Sequence, residues 1–236
     1  MAVRGMGTTG PESPAGVVAF DTSDTLVAPP GGPIWRFGLL AGKVMAMAAA
    51  PKAQRRADLL AARRTVPQAV REDEAERLCG HLALVVAGSA TVCAYLPLAS
   101  EPGSEAMVAR LAELCETVLL PVTRAHQPLR WGRYVPGDLV SGEYGLQEPP
   151  GPLLGPDEVT RAAVVLVPAL AVDRRGVRLG RGGGFYDRSL ARCGPQTRLV
   201  AVVRDCELVD DLPDEPHDVR MTHALTPAGG LVRLGE

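Results

Sequence analysis

The order of short apolar runs and helical patterns constrains the fold of this chain more than any other feature. From Pro51 onward, one helical pattern extends to about Arg64 and a second begins after Pro67. Strand-like runs follow at residues 91–96, 118–122, 163–167 and 199–203, with a further helical pattern at residues 104–115. Short β-rich runs separated by helices indicate a mainly parallel sheet with helices packed on it. We therefore expect an α/β fold.

Two other parts of the chain lack this pattern. Residues 1–50 mix Gly, Pro, Ser and Thr with scattered apolar residues, and no helical or strand period is sustained there. We predict a poorly ordered N-terminal extension over residues 1–50 and a single domain over residues 51–236. Residues 127–152 hold several glycines and prolines among aromatic residues, which favours irregular structure or a β-hairpin over the sheet edge. Long loops of this kind often carry binding residues.

Charge and cysteine content argue against several classes of protein. The formal net charge of -2 lacks the basic excess of chains that bind nucleic acid over a broad surface. The 5 cysteines are widely spaced without a C-x-x-C pair, which suggests neither a disulfide framework nor a zinc site. No apolar run approaches the roughly 20 residues that a membrane span needs. We expect a cytoplasmic monomer that binds neither nucleic acid nor a membrane.

The most informative stretch covers residues 164–192, where a strand passes through a turn into a glycine-rich loop and then into a helix near Phe185. The loop contains Gly180, Gly182, Gly183 and Gly184. Because glycine has no Cβ, the backbone can take positive φ and its N–H groups can approach an anion closely. The start of the helix adds the positive end of its dipole. This layout is typical of a phosphate site.

Charged residues around the loop extend this interpretation. Arg178 and Arg181 supply paired donors that match phosphate oxygens, and Asp187 supplies the hard oxygen ligand that Mg²⁺ prefers. A glycine-rich turn between a strand and a helix can also be only a flexible connection, and this one matches neither G-x-x-x-x-G-K-[ST] nor G-x-G-x-x-G. The residues themselves therefore indicate a Mg²⁺–nucleotide site and no particular second substrate.

The run R-L-G-R-G-G-G-F-Y-D at residues 178–187 resembles the signature of the 5-formyltetrahydrofolate cyclo-ligase family, which usually reads R-L-G-(Y/R)-G-x-G-(Y/F)-Y-D. The preceding V-P-A-L-A-V-D-R-R-G at residues 167–176 is similar to that family's V-P-(G/A)-L-(A/G)-(F/V)-D-x-x-G. The resemblance implies ATP-dependent cyclisation of 5-formyltetrahydrofolate to 5,10-methenyltetrahydrofolate, with release of ADP and phosphate. It implies ATP and the folate as the small molecules bound and Mg²⁺ as cofactor.

The resemblance also assigns residues to ATP. Lys52 and Arg56 match a Lys and an Arg that bind ATP phosphates in the family, and their i, i+4 spacing places both on one helix face. On pattern alone, these two residues with Arg55, Arg63 and Arg64 are equally consistent with a solvated basic face. The remaining ATP-binding residues implied are Arg178, Gly180, Arg181, Gly182, Gly183, Gly184 and Tyr186. Among them, Arg178, Arg181 and Tyr186 are the expected catalytic residues.

Three further segments imply the folate and metal residues. The run A-Y-L-P-L-A-S-E-P-G-S-E-A-M-V at residues 94–108 resembles the family segment in which a Glu binds folate, matching Glu101, with Leu96 lining the pocket. Y-G-L-Q-E-P at residues 144–149 resembles a family element that implies Tyr144 lies against the pterin or its neighbour, and Phe185 is a further expected substrate contact. L-P-D-E-P-H-D at residues 212–218 gives Asp218 as a second metal-associated carboxylate beside Asp187.

This sequence departs from the family pattern at two positions. Gly183 stands where some members have Lys, which removes one possible phosphate contact. Phe185 stands where Tyr is more frequent, which removes a hydroxyl. The resemblance covers residues 51–227, and neither departure removes a residue that the reaction requires.

The expected architecture is a three-layer α/β/α sandwich with a mostly parallel sheet, a layout related to that of sugar-phosphate isomerases and CoA-transferases. Because fold does not establish function, two alternatives stay open. One is an isomerase-like enzyme, which does not need Lys52 and Arg56. The other is a non-catalytic or divergent relative that binds folate or nucleotide without ring closure.

Overall fold

Pro51 and Pro67 each stand one residue before a helix, where the missing backbone N–H costs no helical hydrogen bond. The structure, a computed structural model, describes residues 51–235, so the predicted extension over residues 1–50 lies outside the described residues. The helices are α1 Lys52–Arg64, α2 Gln68–Val85, α3 Glu105–Leu114 and α4 Phe185–Leu190. All four lie within or close to segments that the sequence pattern identified as helical.

The strands fall into three sheets. They are β1 Thr91–Cys93, β2 Thr117–Val122, β3 Arg130–Arg133, β4 Val140–Ser141, β5 Gln147–Glu148, β6 Val164–Pro168, β7 Ala171–Asp173, β8 Arg178–Leu179, β9 Arg198–Val202, β10 Leu208–Val209, β11 His223–Thr226 and β12 Gly230–Arg233. The main sheet has 7 strands in the order β12-β11-β9-β6-β1-β2-β3. Strands β11, β9, β6, β1 and β2 are parallel, and an antiparallel strand closes each edge. The prediction of a mostly parallel sheet is confirmed.

Helices cover both faces of the main sheet. In β6, Val164 and Leu166 join the apolar cluster that α2 and α3 cover, whereas Val165 and Val167 join the cluster on the opposite face with Leu190 of α4. This alternation follows from the two-residue period of a strand. A strand buried on both faces needs a continuous apolar run, which is the pattern that the sequence has here. The three-layer α/β/α sandwich is confirmed.

Strand order reverses at the centre of the sheet. The chain passes from β1 to β2 on one side, then returns to β6 on the other side of β1 and continues outward to β9 and β11. In open parallel sheets, ligands bind at the carboxyl ends of the two strands where this reversal occurs. The segments that follow β1 and β6 are therefore the expected walls of a binding site. Strand β1 ends at Cys93, earlier than predicted, and the chain beyond it forms one such wall.

The segment predicted as irregular or a hairpin contains both kinds of structure. Strand β3 pairs with β2 as an antiparallel edge strand of the main sheet. Strands β4 and β5 form a separate two-stranded antiparallel ribbon. Tyr144 lies in a short 3-10 helix, Glu143–Gly145, between these two strands.

Helix α1 packs with part of its basic face inward. Arg55 and Arg63 are each 1% exposed, whereas Ala53, Ala57 and Ala61 are exposed. The interpretation of this face as wholly solvated is therefore wrong for these two arginines. Arg63 is buried because Glu207 supplies both carboxylate oxygens to its guanidinium, at 2.7 and 2.8 Å. Among the described residues, no helix is long and apolar enough to cross a membrane.

Candidate active site

A cavity of about 550 Å³ opens at the carboxyl ends of β1 and β6. Its walls are the segment after β1, the end of β2, the segment after β6, the glycine loop and the segment around Tyr144. Twelve of the residues predicted for the site line it: Leu96, Glu101, Tyr144, Arg178, Gly180, Arg181, Gly182, Gly183, Gly184, Phe185, Tyr186 and Asp187. The predicted residues Lys52, Arg56 and Asp218 lie outside this lining. The tertiary structure thus gathers the glycine loop and the predicted folate residues around one space.

The glycine loop adopts a backbone that other residues reach only with strain. Gly182 has φ +99° and Gly184 has φ +64°. Arg56 of α1 donates from Nε to the Gly180 carbonyl oxygen at 3.0 Å, and its Cζ lies 3.6 Å from where a Cβ of Gly182 would stand. Arg56 therefore contacts the loop from outside the lining. Through this residue, α1 contacts the glycine loop.

Buried Asp173 fixes the turn that leads into Arg178. Its carboxylate accepts hydrogen bonds from the backbone N–H groups of Arg175, Val177 and Leu212 at 2.8 to 3.0 Å. These bonds close the β7–β8 turn and join it to the segment after β10. Sequence reasoning assigned Asp173 no role, although it belongs to the V-D-R-R-G run. It is a structural residue that positions the strand carrying Arg178.

Arg178 is held in one orientation by three contacts. Nη2 donates to Asp187 Oδ1 at 2.8 Å, and Nη1 donates to the Pro168 carbonyl oxygen at 3.3 Å. Its Cζ lies 5.7 Å from the centre of the Tyr186 ring, within range of a cation–π interaction. The Arg178 side chain is 6% exposed, so little of its charge is screened by water. Such a cation at the cavity wall suits an anionic ligand.

Arg181 reaches from the glycine loop to the opposite wall. Its Nε donates to Glu101 Oε1 at 3.0 Å, while Glu101 Oε2 accepts from the Leu98 backbone N–H at 3.0 Å. Glu101 is buried, and Arg181 is half exposed. The residues predicted for nucleotide and for folate are thus in direct contact.

The Tyr186 hydroxyl stays protonated. Burial, together with the negative charge of Glu101, raises the pKa of Tyr186 far above its ordinary value, although the positive charge of Arg178 opposes the shift. A neutral phenol can donate one hydrogen bond but cannot serve as a base near neutral pH. The side chain is therefore suited to donating to a ligand oxygen.

Two aromatic rings form the outer part of the cavity. The Tyr144 and Phe185 ring centres lie 6.3 Å apart, with an angle of 58° between the ring planes. Tyr144 is 67% exposed, and its φ of 59° is uncommon for a residue other than glycine. An exposed aromatic ring on a strained turn at a cavity mouth is suited to contacting a flat ligand.

Lys52 and Asp218 form a separate charged cluster with Glu215. Lys52 Nζ lies 2.8 Å from Asp218 Oδ2 and 3.2 Å from Glu215 Oε1. Burial opposes the charged form of both Lys52 and Asp218, but their mutual hydrogen bond and attraction outweigh it. The pKa of Lys52 is raised and the pKa of Asp218 is lowered. Asp218 also groups with Glu215 and His217, whose possible ligand atoms all lie within 4.8 Å of one another.

The structure places the two predicted metal carboxylates in different surroundings. Asp187 lines the cavity beside Arg178, whereas Asp218 pairs with Lys52. Mg²⁺ commonly uses one or two protein carboxylates, with phosphate oxygens and waters completing its shell. Asp187 fits that requirement, because its carboxylate is partly exposed at the wall that also carries the glycine loop.

Fold and site together define an α/β protein with a cavity at the reversal point of its parallel sheet. One side of this cavity, at the glycine loop, suits a phosphate-bearing ligand, and the side at Tyr144 and Phe185 suits a flat one. The sequence model of the 5-formyltetrahydrofolate cyclo-ligase family matches residues 48–227, and this chain belongs to that family. The resemblance found in the glycine-loop motif is confirmed by this match.

Relatives and solved structures agree with the family match. The chain is 55% identical over 188 residues to a 5-formyltetrahydrofolate cyclo-ligase of Mycolicibacterium smegmatis, covering 78% of this chain and 97% of the relative. It is 32% identical over 142 residues to the Escherichia coli K12 protein of the same name, covering 58% of this chain and 78% of that protein. The structure of Aquifex aeolicus 5,10-methenyltetrahydrofolate synthetase matches with a TM-score of 0.66 and 24% identity, covering 78% of this chain and 93% of that one. At that identity, the structural match shows the shared fold alone.

Proposed function

We propose that this chain catalyses the ATP-dependent cyclisation of 5-formyltetrahydrofolate to 5,10-methenyltetrahydrofolate, releasing ADP and phosphate. One observation carries the proposal: the Arg181–Glu101 contact joins the glycine loop to the predicted folate wall inside a single cavity. A reaction between a nucleotide and a second substrate needs both held in one enclosed space. ATP as co-substrate follows from membership of the family.

In this proposal, the basic residues neutralise charge on the triphosphate. The formyl oxygen on N5 attacks the γ-phosphate of ATP, N10 then closes the ring, and phosphate leaves. Arg178 and Arg181 stabilise the charge that develops on the transferred phosphoryl group, and Tyr186 donates a hydrogen bond to it. Arg56, which donates to the Gly180 carbonyl oxygen, acts on the phosphates from the side of the glycine loop. Lys52, one turn earlier on α1, adds a second positive charge.

The folate lies against the other wall. Glu101 orients it by accepting hydrogen bonds, Leu96 and Phe185 supply apolar contact, and Tyr144 covers its flat ring. Because Glu101 is 7% exposed, hydrogen bonds that it accepts from a ligand are little weakened by water. Asp187 would hold Mg²⁺, with Asp218 as the second carboxylate; the bound ion neutralises phosphate charge. The proposal includes a monomeric, cytoplasmic enzyme.

The direct test incubates the full chain with 5-formyltetrahydrofolate, ATP and Mg²⁺ and follows the near-ultraviolet absorbance of the methenyl product. Absorbance should rise only when all three are present, with one ADP formed per ring closed. ATP and folate binding without product would instead identify a non-catalytic relative. Turnover of a sugar phosphate, with no methenyl product, would contradict the proposal.

A further inference from the structure

Two arginines and a glutamate form a buried bridge next to two of the segments that wall the cavity. Arg63, Arg204 and Glu207 are 1%, 4% and 3% exposed. Glu207 accepts from Arg63 through both oxygens, and its Oε2 also accepts from the Arg204 backbone N–H at 2.9 Å. Arg204 Nη1 lies 3.7 Å from Glu207 Oε1. These three residues, which we call the Arg–Glu–Arg bridge, come from α1 and from the segment between β9 and β10.

Each arginine of the bridge also holds one wall of the cavity. Arg63 Nη2 donates to the Ala169 carbonyl oxygen at 2.6 Å, and Ala169 lines the cavity after β6. Arg204 Nη1 donates to the Ser100 carbonyl oxygen at 3.2 Å, directly before Glu101 in the segment after β1. Glu207 therefore connects the two segments that diverge at the reversal point of the sheet. Arg204 Nε is held in turn by Glu74 of α2 at 2.8 Å.

A buried charged bridge of this kind generally adds little to the stability of the fold. Removing charged groups from water is costly, and replacing a buried ion pair by well-packed apolar residues is often neutral or stabilising. What the charged bridge supplies, and apolar packing does not, is directional donors to two carbonyl groups at fixed geometry. The Ser100 segment carries Glu101 on the folate side, and the Ala169 segment begins the hairpin that carries Arg178 on the nucleotide side. In the proposed reaction, the separation of these two segments sets how the folate and the nucleotide face each other.

We propose that the Arg–Glu–Arg bridge positions the two cavity walls relative to each other and thereby aligns the folate with the nucleotide. The three residues touch neither substrate and act through the Ser100 and Ala169 carbonyls. This inference rests on the proposed function, because it concerns alignment between the two substrates of that reaction. Misplacement of reacting groups by about 1 Å can lower a rate about 100-fold.

The main test replaces the bridge by apolar residues: Arg63→Met, Arg204→Met and Glu207→Leu, with Glu74→Gln to avoid an unpaired buried carboxylate. We expect kcat about 100-fold below that of the wild type. The dissociation constants of 5-formyltetrahydrofolate and of a non-hydrolysable ATP analogue, each measured alone, should stay within about threefold, because each wall keeps its own contacts. The melting temperature should stay near that of the wild type. Arg110→Gln with Glu113→Gln, on the exposed face of α3, is the control and should leave kcat unchanged.

A second variant keeps the test decisive if the fourfold replacement does not fold. Arg204→Lys retains a cation for Glu74 and Glu207 but lacks the forked donor group that also reaches Ser100. We expect a drop in kcat of about tenfold, with both dissociation constants and the melting temperature retained.

Three outcomes would overturn the inference. An unchanged kcat in either folded variant would show that the bridge does not align the substrates. A lower kcat accompanied by a comparable fold-increase in either dissociation constant would show a structural role only. So would a lower kcat accompanied by a clearly lower melting temperature. If the wild type binds both ligands but forms no methenyl product, the proposed function fails and the alignment role fails with it. If the wild type forms the product and the folded variants have the same kcat, the alignment role alone fails.

Discussion

Arg178 donates from Nη2 to Asp187 Oδ1 at 2.8 Å, which joins strand β8 to helix α4 across the glycine loop. The same carboxylate is therefore the partner of one cation in the protein and the proposed ligand of a second, Mg²⁺. Replacing Asp187 should disturb both the position of Arg178 and the binding of the metal.

Asp187→Asn keeps the size of the side chain and removes its charge. We expect kcat to fall about 100-fold and the Mg²⁺ concentration for half-maximal activity to rise. Methenyl absorbance measured across a Mg²⁺ series gives both quantities. Asp138→Asn, an exposed carboxylate outside the cavity lining, is the matched control and should behave as wild type. An Asp187→Asn enzyme with normal turnover at low Mg²⁺ would exclude Asp187 as a ligand.

Glu101→Gln tests the folate wall. Removing the charge weakens the hydrogen bonds that Glu101 accepts from the folate, and charge-assisted bonds of this kind contribute about 1.5–3 kcal/mol. We expect the KM for 5-formyltetrahydrofolate to rise about 10- to 100-fold, with a smaller change in the KM for ATP. Steady-state kinetics with each substrate varied in turn separates the two constants. Glu105→Gln, exposed at the start of α3, is the control, and equal effects on both constants would contradict the assignment.

The Lys52–Asp218 pair makes stability depend on pH in a defined direction. The pKa of Asp218 in the folded chain lies below its ordinary value of 3.8, so the unfolded chain binds this proton more tightly. The resulting stabilisation is present above pH 3.8 and is lost as the pH falls through the folded-state pKa.

Asp218→Asn should therefore lower the free energy of unfolding by about 1 kcal/mol at neutral pH. The difference from wild type should shrink as the pH falls below 3.8 towards the lowered pKa of the folded chain, because the wild-type carboxyl then also becomes neutral. Urea denaturation of both proteins over this range measures the difference directly. A difference that stays constant down to the lowest pH would rule out the ion pair as its source.

Tyr95 has a buried hydroxyl for which no described residue provides a hydrogen-bond partner. A buried polar group left without a partner costs about 1–3 kcal/mol, and phenylalanine would fill the same apolar cluster. Tyr95→Phe should raise the free energy of unfolding by about 1 kcal/mol, measured by urea denaturation. Tyr134→Phe, a buried tyrosine outside the cavity lining, should show no such gain. A loss of stability in Tyr95→Phe would show that the hydroxyl has a partner.

Sequence patterns predicted the fold well where local physics determines it. The apolar run ending at Val167 is a strand buried on both faces, and continuous apolar sequence is the direct sign of such a strand. The positive-φ turns at Gly182 and Gly184 were likewise expected, because that backbone conformation strongly favours glycine. The motif residues around them line the cavity, and their chemical roles stay predictions for the variants above to test.

The inward face of α1 could not be predicted from periodicity. Helical pattern analysis takes the charged side of a helix to face solvent, yet Arg63 is buried with Glu207 as its partner. Because Glu207 lies 144 residues further along the chain, the pattern within α1 gives no sign of this pairing. The Arg181–Glu101 contact, across 80 residues, is hidden from the sequence for the same reason.

By itself, the sequence determined the order of strands and helices, the glycine loop and the family, because each depends on residues that are close together in the chain. Only the tertiary structure decided which distant charges meet: Arg181 with Glu101, Lys52 with Asp218, and Arg63 with Glu207. Ion pairs between distant segments depend on how the fold brings those segments together in space. The spacing of residues along the chain does not predict these contacts.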